Sequence, residues 1–277
     1  MEIPGGILID GDLKRSFEFK PVTGFLELWI NERSLQQQCH SARITTVLCE
    51  ALAHLGGEAV SPDRVRDLNV GDRQYLMRRL AVHIDDQVTW LTATCGECGE
   101  PFDVSLRYAE LPVKPAGDEF PETIVDSSLG RLHVRVPTGA DQEIIAAIAD
   151  DREAMWVLLE QLLSHEHSRL AVDPRQLGEE EITAIETVVE NLCPEIATHL
   201  TTNCPHCDNA NHVSIHPYTI FERSLNNVYG DVHILATTYH WSEEEILALT
   251  RSRRHTYLSM IDRSRGMNAR DRYAEAG

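Results

Sequence analysis

The chain has 277 residues, with 25 Lys and Arg against 44 Asp and Glu, a formal charge of −19 and 42% hydrophobic residues. That length can bury one large core or two modest ones, and the composition is that of a globular protein, not a disordered one. The acidity argues against nucleic acid and anionic membrane surfaces as partners, and no apolar run approaches the ~18 residues needed for membrane insertion.

The first residues, MEIPGGILIDGDLKR, lack the basic-then-apolar pattern of a signal peptide. Residues 13–30 alternate around Pro21, Val22, Thr23 and Gly24, with Phe17 and Phe19 before and Phe25, Leu26, Leu28 and Ile30 after, and predict a β-hairpin. Ile44, Leu48, Ala51 and Leu55 recur at helical spacing, predicting a helix that Gly56 and Gly57 stop. A helix near 70–84, capped by Asp72, would bury Leu76, Leu80 and Ile84.

Residues 87–94 and 102–107 read as strands, and 112–122 as an exposed loop rich in proline and acid. A strand from Leu132 to Val136 runs into Pro137, Thr138, Gly139, Ala140 and Asp141, a helix-start signal. Two helical pieces then bury Ile145, Ile148, Met155, Leu159 and Leu162, and a helix over 179–193 ends at Pro194. Residues 196–203 and 212–218 are strands again. Phe221, Leu225, Val228, Val232, Leu235 and Tyr239 form one apolar stripe on a helix. Ser242 with Glu245 is a capping box opening a second helix, and a third carries Tyr257, Leu258 and Ile261.

The fold class is therefore α+β, mostly helical, with a small split four-cysteine zinc ribbon and a C-terminal helical hairpin. Residues 1–85 form an N-terminal hairpin plus helices. Residues 86–218 form the ribbon, in halves 86–110 and 195–218 around a helical insert at 111–194. Residues 219–277 form a helical region with a basic tail.

Seven cysteines without a leader argue against a disulfide scaffold. Four of them form two C-x-x-C pairs, Cys95 with Cys98 and Cys204 with Cys207, each between strand-like segments. Two such knuckles complete a closed four-thiolate tetrahedron, the arrangement of one structural Zn2+. The halves lie 105 residues apart, but loop-closure entropy grows only logarithmically with length. Gly99 can supply the left-handed residue of the first knuckle and Asn209 that of the second. An iron centre or a dithiol couple on the same cysteines is the competing chemistry. Cys39, Cys49 and Cys193 read as buried small apolar residues, and His206 and His212 as bystanders. His165 and His167 are two apart and diverge on a helix, while Asp85–Asp86 and Asp150–Asp151 read as caps or solvated faces. No nucleotide-binding, hydrolase or zincin motif occurs, so no catalytic residues are expected.

Residues 251–277 hold seven arginines against three acidic residues, a local +4 that leaves −23 on residues 1–250. This basic segment suits an acidic protein surface. The runner-up reading is a zinc-ribbon regulator that binds nucleic acid through its arginines.

Several segments together resemble a family of phage-type baseplate proteins. They are Leu68 to Arg73 (LNVGDR), Arg135 to Asp141 (RVPTGAD), the Cys204-Pro205-His206-Cys207 knuckle, Asp231 to Leu249 (DVHILATTYHWSEEEILAL) and Arg253 to Leu258 (RRHTYL). The family belongs to contractile tails and phage-tail-like contractile injection systems and includes relatives of T4-type baseplate hub and assembly proteins. The likeness spans roughly residues 60–265. It implies a non-enzymatic structural or assembly component, in the cytoplasm during assembly, whose partners are other baseplate, hub or spike proteins. Whether it stays in the finished particle is left open. On this reading Trp241, Arg253, Arg254 and Tyr257 are the candidate partner-binding residues, with packing between the short helices as the alternative for Trp241 and Tyr257.

Overall fold

The computed structural model describes residues 1–32, 36–37, 39–216, 218 and 227–266. The chain divides into two compact units, residues 1–19 with 37–220 and residues 20–36 with 221–277.

In the first unit, β1 (Glu2–Ile9) and β2 (Asp12–Phe19) pair as an antiparallel hairpin. They turn through Asp10 and Gly11, both at positive φ, the conformation a two-residue hairpin turn requires. The hairpin expected around residues 21–24 is absent, because Phe25 to Ile30 lie in α1 (Gly24–Glu32), a helix of the second unit. Leu26 and Ile30, both buried, fit helical and alternating periods alike, so packing decides.

The chain returns with α2 (His40–Ala51), which buries Ile44 and Leu48 as expected but ends at Ala51. Leu55 belongs instead to β3 (Leu52–Leu55), and Gly56 and Gly57 turn that strand into β4 (Glu58–Ala59), giving a sheet of order β1-β2-β3-β4. After α3 (Pro62–Asp67), α4 (Val70–Ile84) buries Leu76, Leu80 and Ile84. Its cap is Asn69, whose side chain accepts the Asp72 N–H at 2.8 Å. Asp72, expected as the cap, is buried in the first turn and accepts the N–H groups of Gly5 and Gly6 at 2.8 and 2.7 Å. Burial pushes its carboxyl up to about 6.

Two hairpin strands follow, β5 (Thr89–Thr94) and β6 (Pro101–Leu106), as predicted. β7 (Val113–Lys114) lies in the stretch expected as loop. β8 (Glu122–Ser127) and β9 (Gly130–Arg135) lead to α5 (Gly139–Ile145), α6 (Asp151–Leu162) and β10 (Leu163–His165). The three strands form a sheet of order β10-β9-β8. With α7 (Glu179–Leu192) this segment encloses Leu132, Val134, Leu159, Leu163 and Ile185. The insert, expected to be helical apart from one strand at Leu132 to Val136, thus carries a three-stranded sheet as well as helices. β11 (Glu195–Ile196) pairs with β7 and closes it, so that its two ends meet. β12 (His199–Asn203) and β13 (Ala210–Ser214) form the last hairpin of the unit.

The LNVGDR and RVPTGAD segments interlock. Asn69 and Thr138 form an antiparallel bridge, Val70 donates to the Pro137 carbonyl at 3.1 Å, and Gly139 donates to that of Leu68 at 3.0 Å. Asp141 closes the α5 terminus by accepting the Thr138 N–H at 2.8 Å, and Arg135 grips the same carboxylate with both guanidinium nitrogens at 2.7 and 2.8 Å.

The second unit holds α1 with α8 (Asn227–Tyr239), α9 (Glu243–Ala248) and α10 (Arg251–Ser264). Leu235, Ile246, Leu258 and Ile261 make its core. The capping box is present, Ser242 donating its N–H to Glu245 at 2.9 Å and accepting that of Glu245 at 3.3 Å. Val228 and Leu235 of the predicted stripe are buried, whereas Phe221, Leu225, Arg270 and Arg272 lie outside the described residues. Among the described residues no helix is long and apolar enough to cross a membrane.

Candidate metal centre

The two C-x-x-C turns sit at the tips of the β5–β6 and β12–β13 hairpins, and each is built by the same hydrogen bonds. In the first, Cys95 donates to the Glu100 carbonyl at 3.0 Å and Gly99 donates back to Cys95 at 3.0 Å. In the second, Cys204 donates to Asn209 at 2.9 Å and Asp208 donates back to Cys204 at 2.9 Å. Each turn needs one left-handed residue. Gly99 supplies it at φ 75°, as expected, but in the second turn it is Asp208, at φ 60°, and not Asn209. Asp tolerates this region almost as well as Asn.

The four sulfurs lie within 4.8 Å of one another. Cys95 and Cys207 are 3.6 Å apart and Cys98 and Cys204 are 3.8 Å apart, too far for a disulfide. A tetrahedron with metal–sulfur bonds of about 2.3 Å has edges of about 3.8 Å, so the cluster has the size to hold one metal ion. Cys95 and Cys204 are buried while Cys98 and Cys207 face solvent. Phe102 and Val213, backed by Leu91, Val104 and Leu200, form a small apolar core beneath the buried pair.

The thiols are electrostatically unequal. The N–H groups of Cys98 and Glu97 aim at the Cys95 sulfur and draw its pKa down to about 6. The N–H of Asn209 pulls on Cys207 too, but desolvation and the neighbouring sulfurs outweigh it and push that thiol up to about 12. Four thiolates this close would repel one another; a cation held by them would displace the protons of the thiols and offset that repulsion.

Asn211 is the functional residue that sequence reasoning missed. Its amide donates to the Cys95 sulfur at 3.6 Å and to the Asn209 carbonyl at 2.7 Å, and its oxygen accepts the Gly96 N–H at 3.0 Å. One side chain thus ties the knuckles together and orients the Cys95 sulfur, which would hold that sulfur in place for a bound metal. Its sequence signal was faint: a polar residue three positions after the left-handed Asp208. His206 and His212 are exposed and outside the cluster. Cys39, Cys49 and Cys193 are half-buried and not buried as expected. Cys39 caps α2 by accepting the Ala42 N–H at 3.4 Å, and burial pushes the Cys193 thiol up to about 11.

The candidate partner residues divide. Arg253 is exposed on α10. Arg254, one residue on, is wholly buried: it pairs with the equally buried Glu27, and its Nε lies 3.4 Å from Asp231. Arg251 reaches the same Glu27 carboxylate at 2.5 Å. Arg254 is therefore removed from any partner-facing surface, because the α10 turn that exposes Arg253 directs its neighbour onto α1 and α8. Trp241 stacks on Tyr239 with centroids 4.9 Å apart and meets Tyr257 edge-on at 4.9 Å, all three half-buried. That is the interhelical packing alternative, with one edge of the cluster left to solvent. Comparison of the chain with protein-family models, with curated proteins and with solved structures finds no match.

Proposed function

We propose that this chain is a non-enzymatic component or assembly factor of a contractile, phage-tail-like machine, acting near the baseplate or central hub. One Zn2+ held by Cys95, Cys98, Cys204 and Cys207 would fix its orientation. The observation that carries the metal assignment is the four-sulfur cluster of tetrahedral dimensions. Zinc is favoured because four thiolates leave no coordination position open, the mark of a structural site. When bound, the ion supplies no chemistry beyond cross-linking the two hairpins, and through them the ends of the insert. The assembly reading rests on the resemblance of residues 60–265 and on the polarised charge of the chain. The exposed Arg253 and Arg263, with the half-buried edge of Trp241 and Tyr257, are the partner surface it assigns on α8 to α10.

The test combines elemental analysis with co-purification. One zinc per colourless chain, lost in Cys98→Ser and Cys204→Ser together with stability, supports the metal. Full metal content and parental melting in either variant would falsify the shared site. Co-purification with sheath, tube or spike proteins from the native host supports the assembly role. Salt-sensitive retention on DNA that disappears in Arg253→Ala would favour the nucleic-acid regulator instead.

A further inference from the structure

The N-terminal hairpin leaves one backbone edge open, and a groove runs beside it. β1 is the outer strand of its sheet. The two-residue turn pairs Ile9 with Asp12 and Ile7 with Lys14, so these residues spend their main-chain groups on β2, and Leu8 between them directs its own outward. Toward the start of the strand that edge is already taken: Asp72 accepts the Gly5 and Gly6 amides, and the Pro4 carbonyl accepts from Ala116 at 3.4 Å. Among the described residues no main-chain partner faces Leu8. The open stretch, Ile7-Leu8-Ile9, carries none of the charges or prolines that usually guard an edge. Leu8 is 53% exposed, and its cross-strand neighbour Leu13 is 37% exposed.

The groove has a volume of about 260 Å3. Ile7, Leu8, Phe120, Pro121 and Val136 give it apolar walls. Its charged residues are Glu122, Arg135 and Asp67. Glu122 is matched by Arg169 at 3.7 Å, and Arg135 by Asp141. Asp67 has no cation beside it among the described residues, so the uncompensated charge of the groove is negative. Burial and Asp63 hold its carboxyl above the usual range.

We propose that this edge binds an extended peptide of another protein by strand addition, with an apolar side chain in the groove and a Lys or Arg beside Asp67. Main-chain bonds to Leu8 supply register, and the groove and Asp67 supply selectivity, since alternate side chains of a strand point to one side. A second copy of this chain is a poorer occupant, because self-pairing along β1 brings two uncompensated Asp67 carboxylates toward one site. The proposal is independent of the metal and of the α10 surface.

The test is selection from a displayed random-peptide library on the full-length, metal-loaded protein, followed by calorimetric titration of the enriched peptides as synthetic chains. The expected peptides alternate apolar and polar residues and include Lys or Arg, and they shift the amide resonances of Ile7 to Ile9. Leu8→Pro removes the outward donor without touching the ladder to β2, and Asp67→Lys reverses the groove charge. Each should weaken binding by at least about 10-fold, while Arg152→Glu, exposed on α6, leaves it unchanged. Leu8→Lys, which keeps the backbone intact, replaces Leu8→Pro if the proline variant melts early. The proposal is overturned if no such peptide is enriched, or if enriched peptides bind the Leu8 and Asp67 variants like the parent. Sedimentation showing a dimer that Leu8→Lys dissolves would also overturn it, identifying a second copy as the occupant.

Discussion

Replacing Arg254 by Met separates a surface role for the arginine-rich helix from a core role. Arg254 and Glu27 are both fully buried, and Asp231 beside them is nearly so. Met keeps most of the stem volume and removes the charge, leaving Glu27 with Arg251 alone and Asp231 without its guanidinium. Breaking a buried pair by deleting one partner costs ~3–5 kcal/mol, because the remaining charge keeps its desolvation penalty. That is a large part of a typical stability of ~5–15 kcal/mol. Urea unfolding followed by circular dichroism and by tryptophan fluorescence measures it, since Trp29 and Trp241 both report on the second unit. Arg253→Met, one position away and exposed, is the control and should change stability by less than about 0.5 kcal/mol. The double variant Glu27→Gln with Arg254→Met should cost less than the sum of the singles, since the two residues contact each other. If Arg254→Met unfolds with the control, or if the singles simply add, the buried network does not hold α1 to α8 and α10.

Three further outcomes follow from the first unit. Asn211→Ala should lower zinc affinity by about 10–100-fold without removing the site, measured by competition with a chelator, since it deletes an outer-shell bond and no ligand. Gly71→Ala places a Cβ 1.9 Å from the Pro194 carbonyl oxygen, a backbone atom that cannot swing aside, and should cost ~1–3 kcal/mol in a melt. Asp72 should titrate near 6 by carboxyl-carbon NMR. Its folded pKa is raised above the unfolded 3.8, so its contribution to stability is full below about 4 and falls as pH rises through about 6.

Legibility in the sequence followed the range of the interactions. The C-x-x-C pairs were plain because a knuckle is local: six residues close their own hydrogen bonds, and the metal needs only sulfur at fixed spacing. The Ser242 and Glu245 box and the Pro194 stop were legible for the same reason. The hairpin expected around residues 21–24 failed because Leu26 and Ile30 satisfy two periods at once. The capping role expected of Asp72 failed because the strand amides that claim its carboxylate lie 66 and 67 positions away.

The sequence by itself determined the four candidate metal-binding cysteines, most helices and the acidic body with its basic end, since spacing, caps and composition act within a few turns of chain. Only the tertiary structure decided that the two knuckles meet across 105 residues, that Asn211 ties them, and that segment 20–36 folds with the C-terminal helices. It also decided which arginine is solvent-facing. Arg253 and Arg254 are adjacent and chemically identical, and a rotation of about 100° along α10 sends one to water and the other onto a carboxylate 227 residues away.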